Sequence, residues 1–291
     1  MLRAAAGLCY HLPMNADLHC HSTVSDGCLE PAAIVRRAHE NGVELLSLTD
    51  HDELTGTVEA AREAAALGMR IVPGVEVSVT YREVTVHVVG LGVDPENPAL
   101  QAGLSRMRAG REDRARRMAD ALARAGLGGT LSGARRFASN PVMIGRAHFA
   151  RHLVESGVMP DVRTVFDHYL AHGKPGYIPH RWADLEEAVD WIRGAGGVAV
   201  IAHPARYCKR LSTAALDRLF DIFVAAGGEG VEVVAGAHSP EEVQRFATVA
   251  RQRKLLASTG SDFHGEDESP VDIGRCSLLP PDLEPVWSRL L

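Results

Sequence analysis

The chain has 291 residues, 46% hydrophobic and 23% charged, with a formal net charge of −6. That is the make-up of a globular enzyme long enough for one large α/β domain with an insertion, or for two domains. No apolar run approaches the roughly 20 residues that span a bilayer, and the five cysteines (Cys9, Cys20, Cys28, Cys208, Cys276) are odd in number and form no C-x-x-C pair. A helical membrane protein, a disulfide framework and a structural zinc knuckle are thus excluded, and a reducing, cytoplasmic setting is expected.

Residues 1–13 are mildly apolar with a single arginine and lack the core of a signal peptide. Met14 directly precedes the first strand, so 1–13 read as an unstructured extension ahead of a second possible start. The first strand carries Asp17-Leu18-His19-Cys20-His21. Side chains alternate along a strand, so Asp17, His19 and His21 share one face and deliver two imidazoles and a carboxylate to one spot. Such a set suits Zn, Mn or Fe. A His-x-His alone also fits a polar strand edge, and the rest of the chain has to decide.

After the turn signal Ser25-Asp26-Gly27, Glu30-Pro31 opens a helix with Ile34, Val35 and Ala38 on its apolar face. The apolar run 43–48 is a buried strand ending in Thr49-Asp50-His51-Asp52. A helix over 55–67 stops at Gly68, and the strand 70–76 ends in Glu76, a carboxylate between Val75 and Val77 that needs a partner such as a metal. Residues 84–90 form another apolar strand, carrying His87.

From residue 98 the pattern turns helical and arginine-rich. Residues 101–182 hold 14 Lys+Arg against 6 Asp+Glu, a balance of +8, against 17 and 31 in the remainder, −14. Residues 100–182 read as a helical insertion containing Gly145-Arg146-Ala147-His148 and Gly173-Lys174-Pro175-Gly176-Tyr177. The β/α alternation then resumes. Asp184 and Glu187 form a capping box, strand 198–201 runs into Ala202-His203-Pro204, and strand 230–234 precedes a helix opened by Ser239-Pro240. The last strand, 255–260, ends in Ser261-Asp262-Phe263-His264. Seven strands interleaved with helices imply a parallel sheet, closed into a barrel with the ligand-type residues at its strand ends.

In this order, D-L-H-C-H, T-D-H-D, P-G-V-E, A-H-P and G-S-D-F-H resemble the PHP (polymerase and histidinol phosphatase) family of metal-dependent phosphoesterases, from Asp17 to about Gly274. The resemblance implies a distorted (β/α)7 barrel, made of 14–99 and 183–291, with 100–182 as a cap over the substrate. It implies two or three divalent metals, Mn before Fe or Zn. His19 and His21 would bind one with Glu76 and Asp262; Glu76 would bridge to a second held by His87 and His203; His51, His264 and Asp26 would bind a third. Asp17 and Asp50 are expected to orient imidazoles. An aspartate at 26, where many members have histidine, and the motifs of the insertion resemble the subgroup acting on nucleotides and RNA. The chain is most similar to phosphatases that remove the 3′-phosphate of nucleoside 3′,5′-bisphosphates, with 5′→3′ exoribonucleases on short RNA as the alternative and a non-catalytic binding module as a third possibility.

Metals of this kind lower the pKa of water and neutralise phosphoryl oxygens, and no Ser or Cys nucleophile with a paired base is evident, so attack by a metal-bridging hydroxide is expected. Arg146, His148, Lys174, Tyr177 and Arg206 are the expected substrate contacts: guanidinium forks match phosphate, lysine supplies a point charge, and tyrosine stacks or donates a hydrogen bond. The expected partner is a small nucleotide; neither a membrane nor an obligate protein partner is expected.

Overall fold

The computed structural model describes residues 14–291; the expected extension 1–13 lies outside the described residues. Eight strands form two sheets. Three short parallel strands, β1 (Ala16–Asp17), β2 (Leu45–Leu46) and β3 (Arg70–Ile71), make the first, in that order. β4 (Gly74–Tyr81), β5 (Val84–Leu91), β6 (Val198–Ile201), β7 (Gly230–Ala235) and β8 (Leu256–Gly260) make the second. The helices α1 (Pro31–Glu40) and α2 (Gly56–Leu67) lie between the strands of the first sheet in the chain, and α8 (Leu185–Gly194), α9 (Thr213–Ala225) and α10 (Pro240–Arg253) do the same around β6 and β7.

Two features correct the expectation of seven parallel strands. The run 70–76 is split, because Pro73 has no N–H for the ladder, and its second half continues to Tyr81. β4 and β5 are antiparallel, as are β5 and β6. The cause is local: Arg82 and Glu83 form a two-residue turn with φ of 46° and 63°, too short for the crossover that parallel strands need.

The sheets meet along two seams. Past β2, Asp52 N–H donates to Glu76 O (2.9 Å) and Glu76 N–H to Asp50 O (3.2 Å); past β1, Leu18 N–H donates to Thr259 O (3.0 Å) and Asp262 N–H to His19 O (2.8 Å). Gly260 is what lets the second seam close, since a Cβ there would lie 2.3 Å from His19 Cβ.

Between β5 and α8 lie α3 (Pro98–Ala109), α4 (Arg111–Arg124), α5 (Thr130–Phe137), α6 (Arg146–Glu155) and α7 (Val162–Val165), the last running into a π turn at Phe166–Leu170, over the stretch expected to be an insertion. Leu100, Leu104 and Met107 of α3 join the core under the second sheet. The remaining helices close around a core of their own, including Met118, Leu122, Phe149, Leu153 and Leu170.

Candidate metal centre and anion pocket

The seams bring all nine expected ligand residues to one place. Glu76, fully buried on β4, is the hub: its Oε1 lies 2.7 Å from His87 Nδ1, 3.0 Å from His203 Nε2 and 3.3 Å from His19 Nε2. Its Oε2 lies 2.8 Å from His51 Nδ1 and 3.3 Å from His21 Nε2. Asp262 Oδ1 is 3.2 Å from His21 Nε2 and 3.5 Å from His19 Nε2, and His264 Nε2 is 3.5 Å from Asp26 Oδ1. The ligand atoms fall into four groups of mutual spacing within 4.8 Å: His21, Asp26, His51 and His264; His19, Glu76 and His203; His19, His21 and Asp262; His51, Glu76 and His87.

A test of whether metals fit comes from the buried atoms left without partners. His21 Nδ1, His51 Nδ1, Glu76 Oε2 and Asp262 Oδ1 are buried and make no hydrogen bond, although His51 Nδ1 and Glu76 Oε2 are close. Crowded imidazole nitrogens and carboxylate oxygens, several without a hydrogen-bond partner, are what a cation satisfies, and imidazole with carboxylate is a donor set for Mn, Fe or Zn. The rings divide: although burial opposes charge on both, Glu76 and Asp26 push His51 up to about 9, and Glu232 and Glu76 hold His19 well above the usual imidazole range. Burial, with His264 and His51 beside it, pushes His21 down to about 3, and burial with Arg206 brings His203 to about 4, so both are neutral rings with a lone pair to give. Burial opposes charge on Glu76, yet His87, His51 and His19 hold it well below the usual carboxylate range. Two of these residues sit where non-glycine residues seldom do, His203 at φ 28° and Asp262 at φ 54°, each just past a strand end. That local strain is a mark of functional sites.

Glu232 is a participant that sequence reasoning missed. Fully buried on β7, it accepts from His19 Nδ1–H at 2.6 Å and from the His203 backbone N–H, fixing the tautomer that leaves His19 Nε2 facing Glu76. The available signal was the one that exposed Glu76, a lone carboxylate in an apolar strand. Asp17 and Asp50 correct an expectation, for neither touches an imidazole ring. Asp17 accepts from the N–H groups of Ser261 (2.9 Å) and Gly274 (2.8 Å), and burial pushes it up to about 6. Asp50 accepts from Ser22 N–H (2.8 Å), Ser22 Oγ–H (2.6 Å) and the Ser25 hydroxyl. Both carboxylates pin the loops that carry the rings, because the strand ends turn their side chains toward neighbouring backbone.

Beside the cluster, a cavity of about 80 Å³ is lined by Asp26, His51 and His87 together with Arg111, Arg114 and Arg146. Arg146 lines this cavity and lies over the Phe166 ring at 5.5 Å. Arg111 and Arg114 were not foreseen. Both stack on Trp182, at 4.9 and 5.5 Å. Asp52 is ion-paired to Arg111 and also accepts from Ser78 N–H at 2.8 Å, while Arg111 Nε is buried without a partner. Arg114 donates Nε–H to Ile178 O at 3.1 Å and has no carboxylate; burial, with Arg146 and Arg111 nearby, brings it down to about 9. Two buried guanidiniums and a partly buried third, with one carboxylate paired to Arg111, are a set suited to an anion.

The other expected substrate contacts are placed differently. His148 is buried and accepts from Gly145 N–H at 3.0 Å, capping α6. Lys174 is exposed on a turn, away from the cavity that Arg146 lines, because the Gly173 to Gly176 turn points it to solvent. Tyr177 lines a second cavity of about 820 Å³, together with Arg82, His172 and His180. Arg206 is ion-paired to Asp262.

A model of the PHP domain matches residues 17–195. The chain is 51% identical over 276 residues to a 3′,5′-nucleoside bisphosphate phosphatase of Chromobacterium violaceum, covering 95% of this chain and 96% of that one. It is 42% identical over 275 residues to the 5′-3′ exoribonuclease Rnm of Escherichia coli, covering 93% and 92%. A solved structure of an amidohydrolase from Chromobacterium violaceum, with bound sulfate and no metal, superposes with a TM-score of 0.90 at 51% identity over 95% of each chain.

Proposed function

The chain belongs to the PHP family and is a metal-dependent phosphoesterase, and on that premise we propose that it hydrolyses the 3′-phosphate of nucleoside 3′,5′-bisphosphates to give a nucleoside 5′-monophosphate and phosphate. One observation carries the proposal: a single cavity is lined both by Asp26, His51 and His87 of the ligand cluster and by Arg111, Arg114 and Arg146. A ligand with two phosphates, one for the metal ligands and one for the guanidiniums, matches it. His19, His21, Asp26, His51, Glu76, His87, His203, Asp262 and His264 are the proposed ligands of two or three divalent metals, Mn in preference to Fe or Zn for mixed imidazole and hard oxygen donors. When bound, these ions supply activated water and charge neutralisation at the phosphoryl group. Glu232 holds the His19 tautomer, Asp17 and Asp50 fix the ligand loops, and Arg111, Arg114 and Arg146 hold the 5′-phosphate.

The two seams support the further proposal that the sheets form a distorted (β/α)7 barrel, in which β3 and β4 are two halves of one bent strand, with residues 100–182 as its cap. Four described cysteines are unpaired, consistent with a reducing cytoplasm.

A second activity, 5′→3′ exoribonuclease, breaks the same P–O3′ bond. It is favoured by the 820 Å³ cavity, whose His172, Tyr177 and Arg82 offer stacking faces and charge for more nucleotides. Product release from 3′-, 5′- and 3′,5′-phosphorylated nucleotides and short RNAs, with Mn added, separates the two. A kcat/KM at least about 10-fold higher for 3′,5′-bisphosphates than for either monophosphate or RNA is expected; preference for RNA transfers the assignment to the exonuclease, and inertness toward all of them refutes both.

A further inference from the structure

We propose that Arg151, on cap helix α6, is a positioning residue that assembles the Asp26–His264 side of the metal centre. The inference rests on assigning the cluster to metals and concerns what holds two of its members in place. In the group His21, Asp26, His51 and His264, His21 and His51 are anchored by the seams: His21 N–H donates to Phe263 O at 2.9 Å, and His51 bridges to Glu76. Asp26 and His264 lie on loops, one after β1 and one after β8. Arg151 reaches both.

Its side chain is 9% exposed and that of Glu268 12%. Nε–H donates to Glu268 Oε1 at 2.6 Å and Nη2–H to Glu268 Oε2 at 2.8 Å, a two-pronged contact, and Nη2 also donates to the carbonyl of Asp26. Glu268 belongs to a tight turn that starts at His264: Glu268 N–H and Ser269 N–H both donate to Gly265 O (3.2 and 3.0 Å), and Ser269 Oγ accepts from His264 N–H at 2.7 Å. Cys28 N–H closes the circuit by donating to His264 O at 2.7 Å. One guanidinium therefore joins the backbone of Asp26 to the turn that aims His264. Its planar fork makes this geometry possible, and an ammonium cannot reproduce it. A second tether from the cap, Asn140 Nδ2–H to Val24 O at 3.2 Å, holds the same loop. The ion pair of Arg136 with Glu155 differs: it is exposed and lies within residues 100–182.

The test measures metal per chain and its affinity, by elemental analysis of desalted protein and by Mn titration, in wild type, Arg151→Ala, Arg151→Lys, Glu268→Gln and, as control, Arg136→Ala. Expected is the loss of about one metal equivalent, or at least a 10-fold weaker last equivalent, in Arg151→Ala and Glu268→Gln. Arg151→Lys should recover it only in part, and Arg136→Ala should match wild type. If Arg151→Ala does not fold, the isosteric Glu268→Gln decides. Full metal content at wild-type affinity in folded variants, or an equal loss of every equivalent, overturns the inference. A wild type that binds no metal would instead overturn the assignment of the cluster.

Discussion

The rim and the cap hold mirror-image clusters of buried and partly buried polar groups. At the rim, nine imidazoles and carboxylates converge with four partnerless donor or acceptor atoms among them; in the cap, Arg111, Arg114 and Arg146 converge with one carboxylate between them. Neither cluster is stable by its own contacts alone, since burying unpaired charge or lone pairs costs free energy that a ligand has to offset. The difference between them is one of task. The rim is built around oxygen and nitrogen lone pairs, a set that in the proposed function gathers cations and supports bond breaking. The cap is built around cations, which in the same proposal hold the part of the substrate that does not react.

Breaking the rim should have the largest effect. Asp262→Asn or His203→Ala is expected to lower turnover by at least about 1,000-fold, because metal-assisted chemistry supplies several kcal/mol of the barrier reduction, while circular dichroism stays that of wild type. Turnover within a few-fold of wild type in protein that has lost no metal would remove the cluster from catalysis. A smaller loss is expected one step out: Glu232→Gln keeps the shape but weakens the hold on His19 Nδ1–H, so metal affinity should fall by about 10–100-fold, read by competition with a chelator.

The cap should respond more mildly and only toward the right substrate. Arg114→Ala and Arg146→Ala are each expected to cut kcat/KM for a 3′,5′-bisphosphate by about 10-fold or more, since a charge-assisted contact is worth roughly 1.5–3 kcal/mol. Nitrophenyl phosphate, with no second phosphate, should be cleaved nearly as before. Lys174→Ala, at an exposed turn, should change either rate by less than about 2-fold, the usual scale for surface substitutions. Equal losses on both substrates would erase the division of labour between rim and cap.

The two regions also differed in how far they could be foreseen. Most rim residues sit in or just past apolar strand runs, where a few polar residues stand out, so His19, His21, His51, Glu76, His203 and Asp262 could be picked out as candidates, and the order of their motifs joined them into one set. Glu232 carried the same signal and was passed over. The arginines of α4 were not legible, because which of Arg111, Arg114, Arg116 and Arg117 faces the cavity depends on how that helix lies against Trp182, a residue about 70 positions away. His148 and Lys174 misled for a related reason, since a short motif says which groups are nearby in the chain and not which way a turn throws them. The antiparallel arrangement of β4, β5 and β6 follows from a two-residue turn that was visible at Arg82 and Glu83, but the surrounding βα rhythm outweighed it.

The private core of α4 to α7 has a consequence for descent and for engineering. Because Phe149, Leu153, Met118 and their neighbours pack with one another and not with the sheet, substitutions on the cavity side of those helices can accumulate without loosening the scaffold beneath. A new lid on the same rim would make a different phosphoesterase, provided that the exchange keeps a guanidinium at the seam where position 151 now reaches down to the loops.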